Sequence, residues 1–195
     1  MKKIYIDYDG TLVDFLKPWL SEINRLSKQN EIITENNENE YKETKDKYRY
    51  IYNNILFYKK VKGFKGSKNF LKELKSNNYY ITIITANTSN AQMKSKNKHI
   101  KINYDKLYNE IIYVFESKAQ KGGKKYEYTK DGIFIDDNLT YIEGHLKNNN
   151  TLAIYYNHNG VVDNKENKEK IKYLKEKYKK FRYTENYKEV LNYIK

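Results

Sequence analysis

Two acidic clusters in the 195-residue chain have spacings that suit chemistry: Asp7-Tyr8-Asp9-Gly10-Thr11-Leu12 near the start and Asp136-Asp137 far downstream. Between them lie Thr85 and a Lys-rich stretch at 118–125. The β-branched and aromatic residues before these positions predict strands, so the four pieces fall at strand carboxyl ends, where open α/β sheets bind ligands. In an extended segment Tyr8 points to the opposite face, which lets Asp7 and Asp9 share one crevice. Gly10 allows the backbone to turn and come close to a ligand. Each piece alone has a plainer reading, since Asp and Gly favour turns and an Asp after a strand commonly caps a helix. Together they crowd four acids at one sheet edge, where they repel one another unless a cation sits there. With no His or Cys nearby, only hard oxygen ligands are on offer, and these suit Mg²⁺.

The elements that must position these residues follow from periodicity. Strands are predicted at 3–8, 79–85, 111–115, 133–136 and 152–156, with helical patterns between them. That alternation implies right-handed crossovers and a mainly parallel, Rossmann-like α/β sheet with helices on both faces. One stretch breaks the rhythm: after the first strand, Phe15, Leu16, Trp19, Leu20, Ile23 and Leu26 mark one helix, and Tyr48, Ile51, Tyr52, Ile55 and Leu56 a second. Residues 14–62 are therefore read as a small helical insertion into a core made of 1–13 and 63–195. Ser67 is placed to cap the helix that carries Phe70, Leu71 and Leu74. The tail at 164–183 reads as one amphipathic helix with Ile171, Leu174, Tyr178 and Phe181 on its apolar stripe.

Composition sets bounds. The formal charge is +13 from 38 Lys+Arg against 25 Asp+Glu. Such a surplus attracts anionic small molecules; it permits nucleic acid as a partner without favouring it over a solvated Lys-rich surface. Leu, Ile, Val and Phe together make only 46 of 195 residues, so the core has to draw on the 22 tyrosines. The absence of cysteine excludes disulfides, thiolate metal sites and cysteine nucleophiles. No apolar run is long enough to span a membrane, and the start lacks a signal-peptide pattern, so a cytoplasmic location is expected. His99, His145 and His158 show no partner spacing and are read as structural or surface residues. The oligomeric state is expected to be a monomer or homodimer.

The segment Asp7-Tyr8-Asp9-Gly10-Thr11-Leu12-Val13-Asp14 resembles the first motif of the haloacid dehalogenase superfamily of phosphotransferases. Ile83-Ile84-Thr85 resembles its second motif and Ile133-Phe134-Ile135-Asp136-Asp137-Asn138 its fourth. The phosphorelay receiver, a competing Asp/Thr/Lys fold, places its acidic pair after the first strand rather than the last and so does not match. The resemblance implies that Asp7 forms an aspartyl-phosphate and that Asp9 serves first as acid and then as base. It implies Mg²⁺ held by Asp7, the Asp9 backbone carbonyl, Asp136 and Asp137, with Thr85 on a phosphoryl oxygen. A lysine should neutralise the phosphoryl charge: Lys125 looks most like the family's third motif, Lys124 nearly as much, then Lys118, with Lys121 also a candidate. The length of the insertion is similar to that of a C1-type cap, and the branch it most resembles is the 5′(3′)-deoxyribonucleotidases. On that likeness Phe15 contacts a base, and Gly10, Ala86 and Lys124 join it as substrate contacts. The implied activity is hydrolysis of a small nucleotide, with a 3′-phosphatase on nucleic-acid ends or a non-catalytic binding module as alternatives.

Overall fold

The computed structural model describes residues 1–27, 32–34, 41–54, 56–115, 124–158 and 165–195. Lys118, Lys121 and Ile55 lie outside the described residues. The chain runs through β1 (Lys3–Asp7), the two-residue β2 (Val13–Asp14) and α1 (Leu16–Ser27) to α2 (Lys42–Lys47), then through 3₁₀ turns at Arg49–Asn53 and Phe57–Lys59 to β3 (Lys62–Gly63). It continues as α3 (Ser67–Ser76), β4 (Tyr80–Asn87), α4 (Asn90–Tyr104), β5 (Glu110–Phe115), α5 (Lys125–Tyr128) and β6 (Gly132–Asp136). The last elements are α6 (Leu139–Asn148), β7 (Ala153–Tyr156), α7 (Lys165–Lys177), β8 (Phe181–Thr184) and α8 (Tyr187–Ile194).

Six strands form one parallel sheet in the order β5-β4-β1-β6-β7-β8. The Rossmann-like α/β architecture predicted from periodicity is the one observed. Strand alternation divides the core in two. Ile4, Ile6, Ile135 and Ile154 join Phe70, Leu71, Leu74, Val190 and Ile194 on one face. Tyr5, Phe134, Ala153 and Tyr155 meet Leu139, Ile142, Ile171 and Leu174 on the other. Both faces are covered, which is why the central strands are almost wholly apolar. Tyrosine fills the lean core as composition required: Tyr8, Tyr58, Tyr104 and Tyr156 are among the largest fully buried side chains. Each hydroxyl finds a partner, as burial of a phenol demands: Tyr104 donates to the Leu12 carbonyl at 3.0 Å, and Tyr156 meets His158 Nδ1 at 2.7 Å.

The insertion is closed at its ends. Val13 pairs with Gly63 and Asp14 with Lys62 in an antiparallel ribbon, so the chain leaves the sheet and returns to it at one point. Within it, α1 carries its expected apolar face. The second expected helix is instead a pair of 3₁₀ turns, which still bury Ile51, Tyr52, Phe57 and Tyr58.

Two local expectations need correction. The tail is not one helix: α7 stops at Lys177, and Phe181–Thr184 forms the edge strand β8 on β7, with Ala153 opposite Phe181. The spacing of Tyr178 and Phe181 fits a helix by coincidence, since Phe181 is buried through strand pairing. Ser67 does not cap α3; Gly66, at φ 90°, takes the cap position and the Ser67 hydroxyl meets Tyr104 Oη at 3.0 Å. His145, read as structural or surface, is structural: it is fully buried, held between the Thr129 and Thr151 hydroxyls at 2.8 Å each.

Burial pushes the His145 imidazole down to about 4. In the unfolded chain it binds a proton near ~6.5, so between the two values the unfolded state carries more protons and stability falls as pH drops. Lowering the pH from ~7 to ~5 should cost about 2 kcal/mol through this residue alone. Urea denaturation of His145→Gln should show a correspondingly flatter loss over that range, and a slope equal to wild type would contradict the assignment.

Candidate active site

The sheet order reverses at β1: the chain builds outward through β4 and β5, then returns to β6 on the other side. Ligands bind at the carboxyl ends of strands at such a point. Asp7 is the last residue of β1, and Asp136 is the last of β6, which runs beside it with Ile6 opposite Ile135. Parallel pairing in this register sets the two carboxylates side by side, both nearly without solvent exposure. Among the described residues, the carboxylates of Asp7, Asp136 and Asp137 present oxygens within 4.8 Å of one another.

Lys125 sits between two of them. Its ammonium lies 2.6 Å from Asp7 Oδ1 and 2.7 Å from Asp136 Oδ2, is 1% exposed, and faces the Tyr141 ring at 4.3 Å. Burial alone would lower the Lys125 pKa, but the Asp136 and Asp7 carboxylates hold it well above the ordinary lysine value. The acids respond in the opposite sense. Burial raises Asp7, Asp136 and Asp137, Lys125 opposes the rise, and the neighbouring carboxylates add to it; Asp136 reaches about 7. One ammonium does not balance three carboxylates, and the oxygen-only donor set fits a hard divalent cation.

The loop geometry keeps these acids free for chemistry. Asn138, not Asp137, caps α6, accepting from the Thr140 N–H at 2.8 Å, while Asp136 Oδ1 accepts from the Asn138 N–H at 2.8 Å. Gly10 is required here: its φ is +80°, and a Cβ at this position would lie 1.8 Å from Asp137 Oδ2. Any side chain at 10 would displace that carboxylate.

Asp9 stands apart from the three-carboxylate group. Its side chain pairs with Lys96 at 2.6 Å and accepts from the buried Tyr58 hydroxyl at 3.1 and 3.0 Å, leaving only its backbone in the metal role expected of it. Lys96, on α4, also donates to Thr85 Oγ1 at 2.8 Å and to the Ala86 carbonyl at 2.5 Å. Sequence reading missed Lys96 and Tyr58. One signal was available: Gln92, Lys96, Ile100 and Tyr104 recur every four residues along one face of α4, and all are buried.

A cavity of about 540 Å³ opens over this site. Asp7, Asp9, Gly10, Thr85, Ala86 and Lys125 line it on the sheet side, and Phe15, Leu16 and Trp19 on the insertion side. Phe15 also packs on Trp19, Tyr52, Phe57 and Tyr58, with ring centroids 5.4–6.3 Å apart, so its two sequence readings, buried face and ligand wall, coexist. Lys124 corrects an expectation. It is exposed, turned toward Glu127 at 3.7 Å, and not among the residues that line the cavity. His158, read as a structural or surface residue, lies on the cavity wall with Asn157 and Tyr155.

A family model described as haloacid dehalogenase-like hydrolase matches residues 28–124, which include Thr85 and Lys96. The match falls on the part of the chain that runs from the end of α1 to the start of α5. Over that stretch the chain is similar to the haloacid dehalogenase-like hydrolases. Solved structures share the fold. A haloacid dehalogenase-like hydrolase from Streptococcus pneumoniae is 13% identical with a TM-score of 0.63, covering 100% of this chain and 99% of that one. One described as a predicted phosphatase from Clostridium acetobutylicum is 18% identical, with a TM-score of 0.62 and 98% of each chain covered. One described as a predicted phosphoglycolate phosphatase from Haemophilus somnus is 16% identical, with a TM-score of 0.61 over 100% and 98%. No curated protein gives a significant match.

Removing Lys125 from this site leaves buried carboxylates without their counter-charge. Lys125→Met should destabilise the fold by about 3–5 kcal/mol, a melting shift on the order of 10 °C for a chain this size. Millimolar Mg²⁺ should recover more of that loss in the variant than it adds to wild type, as read by thermal melts with and without EDTA. A variant as stable as wild type would show that the ammonium does not balance the acids.

Proposed function

We propose that the chain is a Mg²⁺-dependent phosphomonoesterase that works through an aspartyl-phosphate on Asp7. The observation that carries this reading is the Asp7 carboxylate: one oxygen is held by Lys125, and the residue lines the cavity beside Thr85 and Asp9. Asp7, Asp136 and Asp137, with the Asp9 backbone carbonyl, would hold Mg²⁺, which when bound draws charge from the phosphoryl oxygens. Asp7 attacks phosphorus and the ester P–O bond breaks, while Asp9 gives its proton to the leaving oxygen. Asp9 then takes a proton from water as that water attacks the phosphoryl group, freeing phosphate and restoring the Asp7 carboxylate. Thr85 donates to a phosphoryl oxygen, and Lys125 offsets charge gathering between Asp7 and that group.

The proposed substrate is a deoxynucleoside 5′-monophosphate, with residues 14–62 acting as a cap over the cavity. Phe15 and Trp19 support this choice, since aromatic faces on a cavity wall stack on bases at ~1–3 kcal/mol each. The Trp19 indole N–H is buried without a hydrogen-bond partner in the described structure and is a donor suited to a base or sugar oxygen. The relative described as a phosphoglycolate phosphatase supplies the competing class, a short aliphatic phosphate with no ring to stack.

Phosphate release should be measured over deoxynucleoside 5′- and 3′-monophosphates, phosphoglycolate, sugar phosphates and a 3′-phosphorylated oligonucleotide, with Mg²⁺ and with EDTA. Deoxynucleoside 5′-monophosphates should turn over fastest, EDTA should abolish release, and Asp7→Asn should fall by at least about 10⁴-fold while keeping its fold. Preference for phosphoglycolate would overturn the nucleotide assignment, and no release from any ester would overturn the phosphatase reading itself.

A further inference from the structure

We infer that Lys96 is a positioning residue that fixes the Asp9 carboxylate and the Thr85 hydroxyl relative to one another, so that the proton donor and the phosphoryl-binding group arrive pre-oriented. The inference rests on the phosphatase reading and goes beyond it by assigning a residue outside the four motifs.

A lysine ammonium has three N–H donors. At Lys96 all three are spoken for: Asp9 Oδ2 at 2.6 Å, Thr85 Oγ1 at 2.8 Å and the Ala86 carbonyl at 2.5 Å. The side chain is 1% exposed. No donor is left for a substrate oxygen, so Lys96 does not bind phosphate as Lys125 is placed to do. What it does is join two strand ends. Asp9 follows β1 and Thr85 lies on β4, and the ammonium ties both to one point from beneath the cavity floor.

The consequence for each partner is specific. A Thr85 oxygen that accepts from Lys96 has its own O–H proton turned elsewhere, and Thr85 lines the cavity where a phosphoryl oxygen would sit. The Asp9 carboxylate cannot rotate without breaking its bond to Lys96 and the two contacts from the Tyr58 hydroxyl. Tyr58 belongs to the insertion and also stands near Lys96, its ring centroid 5.9 Å from the ammonium. The insertion therefore packs directly against the group that handles the proton. Misplacing such a group by about 1 Å costs on the order of 10²-fold in rate.

A merely structural lysine and a positioning lysine differ in how their loss depends on the leaving group. In the ester-cleaving step, which kcat/KM reports, Asp9 matters most where the departing oxygen needs a proton and little where it leaves as a stable anion; its later work on the attacking water is common to both esters. The test compares the alkyl phosphate that the wild-type chain hydrolyses fastest with dinitrophenyl phosphate, whose phenolate departs unprotonated. Lys96→Met should lower kcat/KM on the alkyl ester by about 10²–10³-fold. On dinitrophenyl phosphate the fall should stay within about tenfold, the share owed to Thr85. Lys96→Gln, which keeps two donors, should recover part of the alkyl-ester rate. If circular dichroism shows Lys96→Met unfolded, Lys96→Gln carries the same comparison and should show the same split between esters. An equal fall on both esters in a folded variant, or no fall, overturns the assignment while leaving the phosphatase reading intact. A wild-type chain that hydrolyses neither ester overturns both.

Discussion

Three carboxylates converge at the carboxyl end of this sheet, and the protein has to hold them there against their own repulsion. Like charges about 4 Å apart repel by roughly 4 kcal/mol at the effective dielectric of a protein interior near its surface. The strand register leaves no choice, because Ile6 pairs with Ile135 and the next residues on β1 and β6 are Asp7 and Asp136. Much of the surrounding sequence answers to that constraint. Lys125 enters from the short helix α5 to bridge the two acids, Tyr141 lays its ring against the ammonium, and Asn138 relieves Asp137 of capping duty. Gly10 has to be a glycine because Asp137 occupies the space beside it.

The two buried lysines divide the work. Lys125 faces the acids that would share a metal, while Lys96 faces the acid held apart from them. This separation gives the acid proposed to handle the proton hydrogen-bond partners that its neighbours do not share. The insertion takes part through packing. Its aromatic cluster of Phe15, Trp19, Tyr52, Phe57 and Tyr58 fixes the Tyr58 hydroxyl on Asp9 and supplies one wall of the cavity. In a chain poor in aliphatic residues, tyrosine both fills the core and reaches the site.

The sheet was legible because buried parallel strands are written as short apolar runs. Ile81, Ile83 and Ile84, or Ile133, Phe134 and Ile135, admit few other readings. The acids were legible because residue type and strand-end position agreed. β8 was not, since Phe181 continues the three-to-four spacing of Ile171, Leu174 and Tyr178, and an edge strand of four residues leaves little pattern of its own. Lys96 was hidden by composition: in a helix that also carries Lys94, Lys98 and Lys101, only its four-residue spacing from Ile100 and Tyr104 marks the one that is buried. Tyr58 was missed for a related reason, because its partner Asp9 lies 49 residues away in the chain. Periodicity reports a residue's face but not the atom it meets across the fold.

The central claim is that the oxygens of Asp7, Asp136 and Asp137 form one cation site under the cavity. A crystal structure grown with Mn²⁺ in place of Mg²⁺, read from anomalous scattering, addresses it most directly. The account predicts a single strong peak within roughly 2.0–2.3 Å of an oxygen from each of the three residues, with Lys125 still in contact with Asp7. A cation bound elsewhere, or the three carboxylates turned apart with no peak among them, would contradict it.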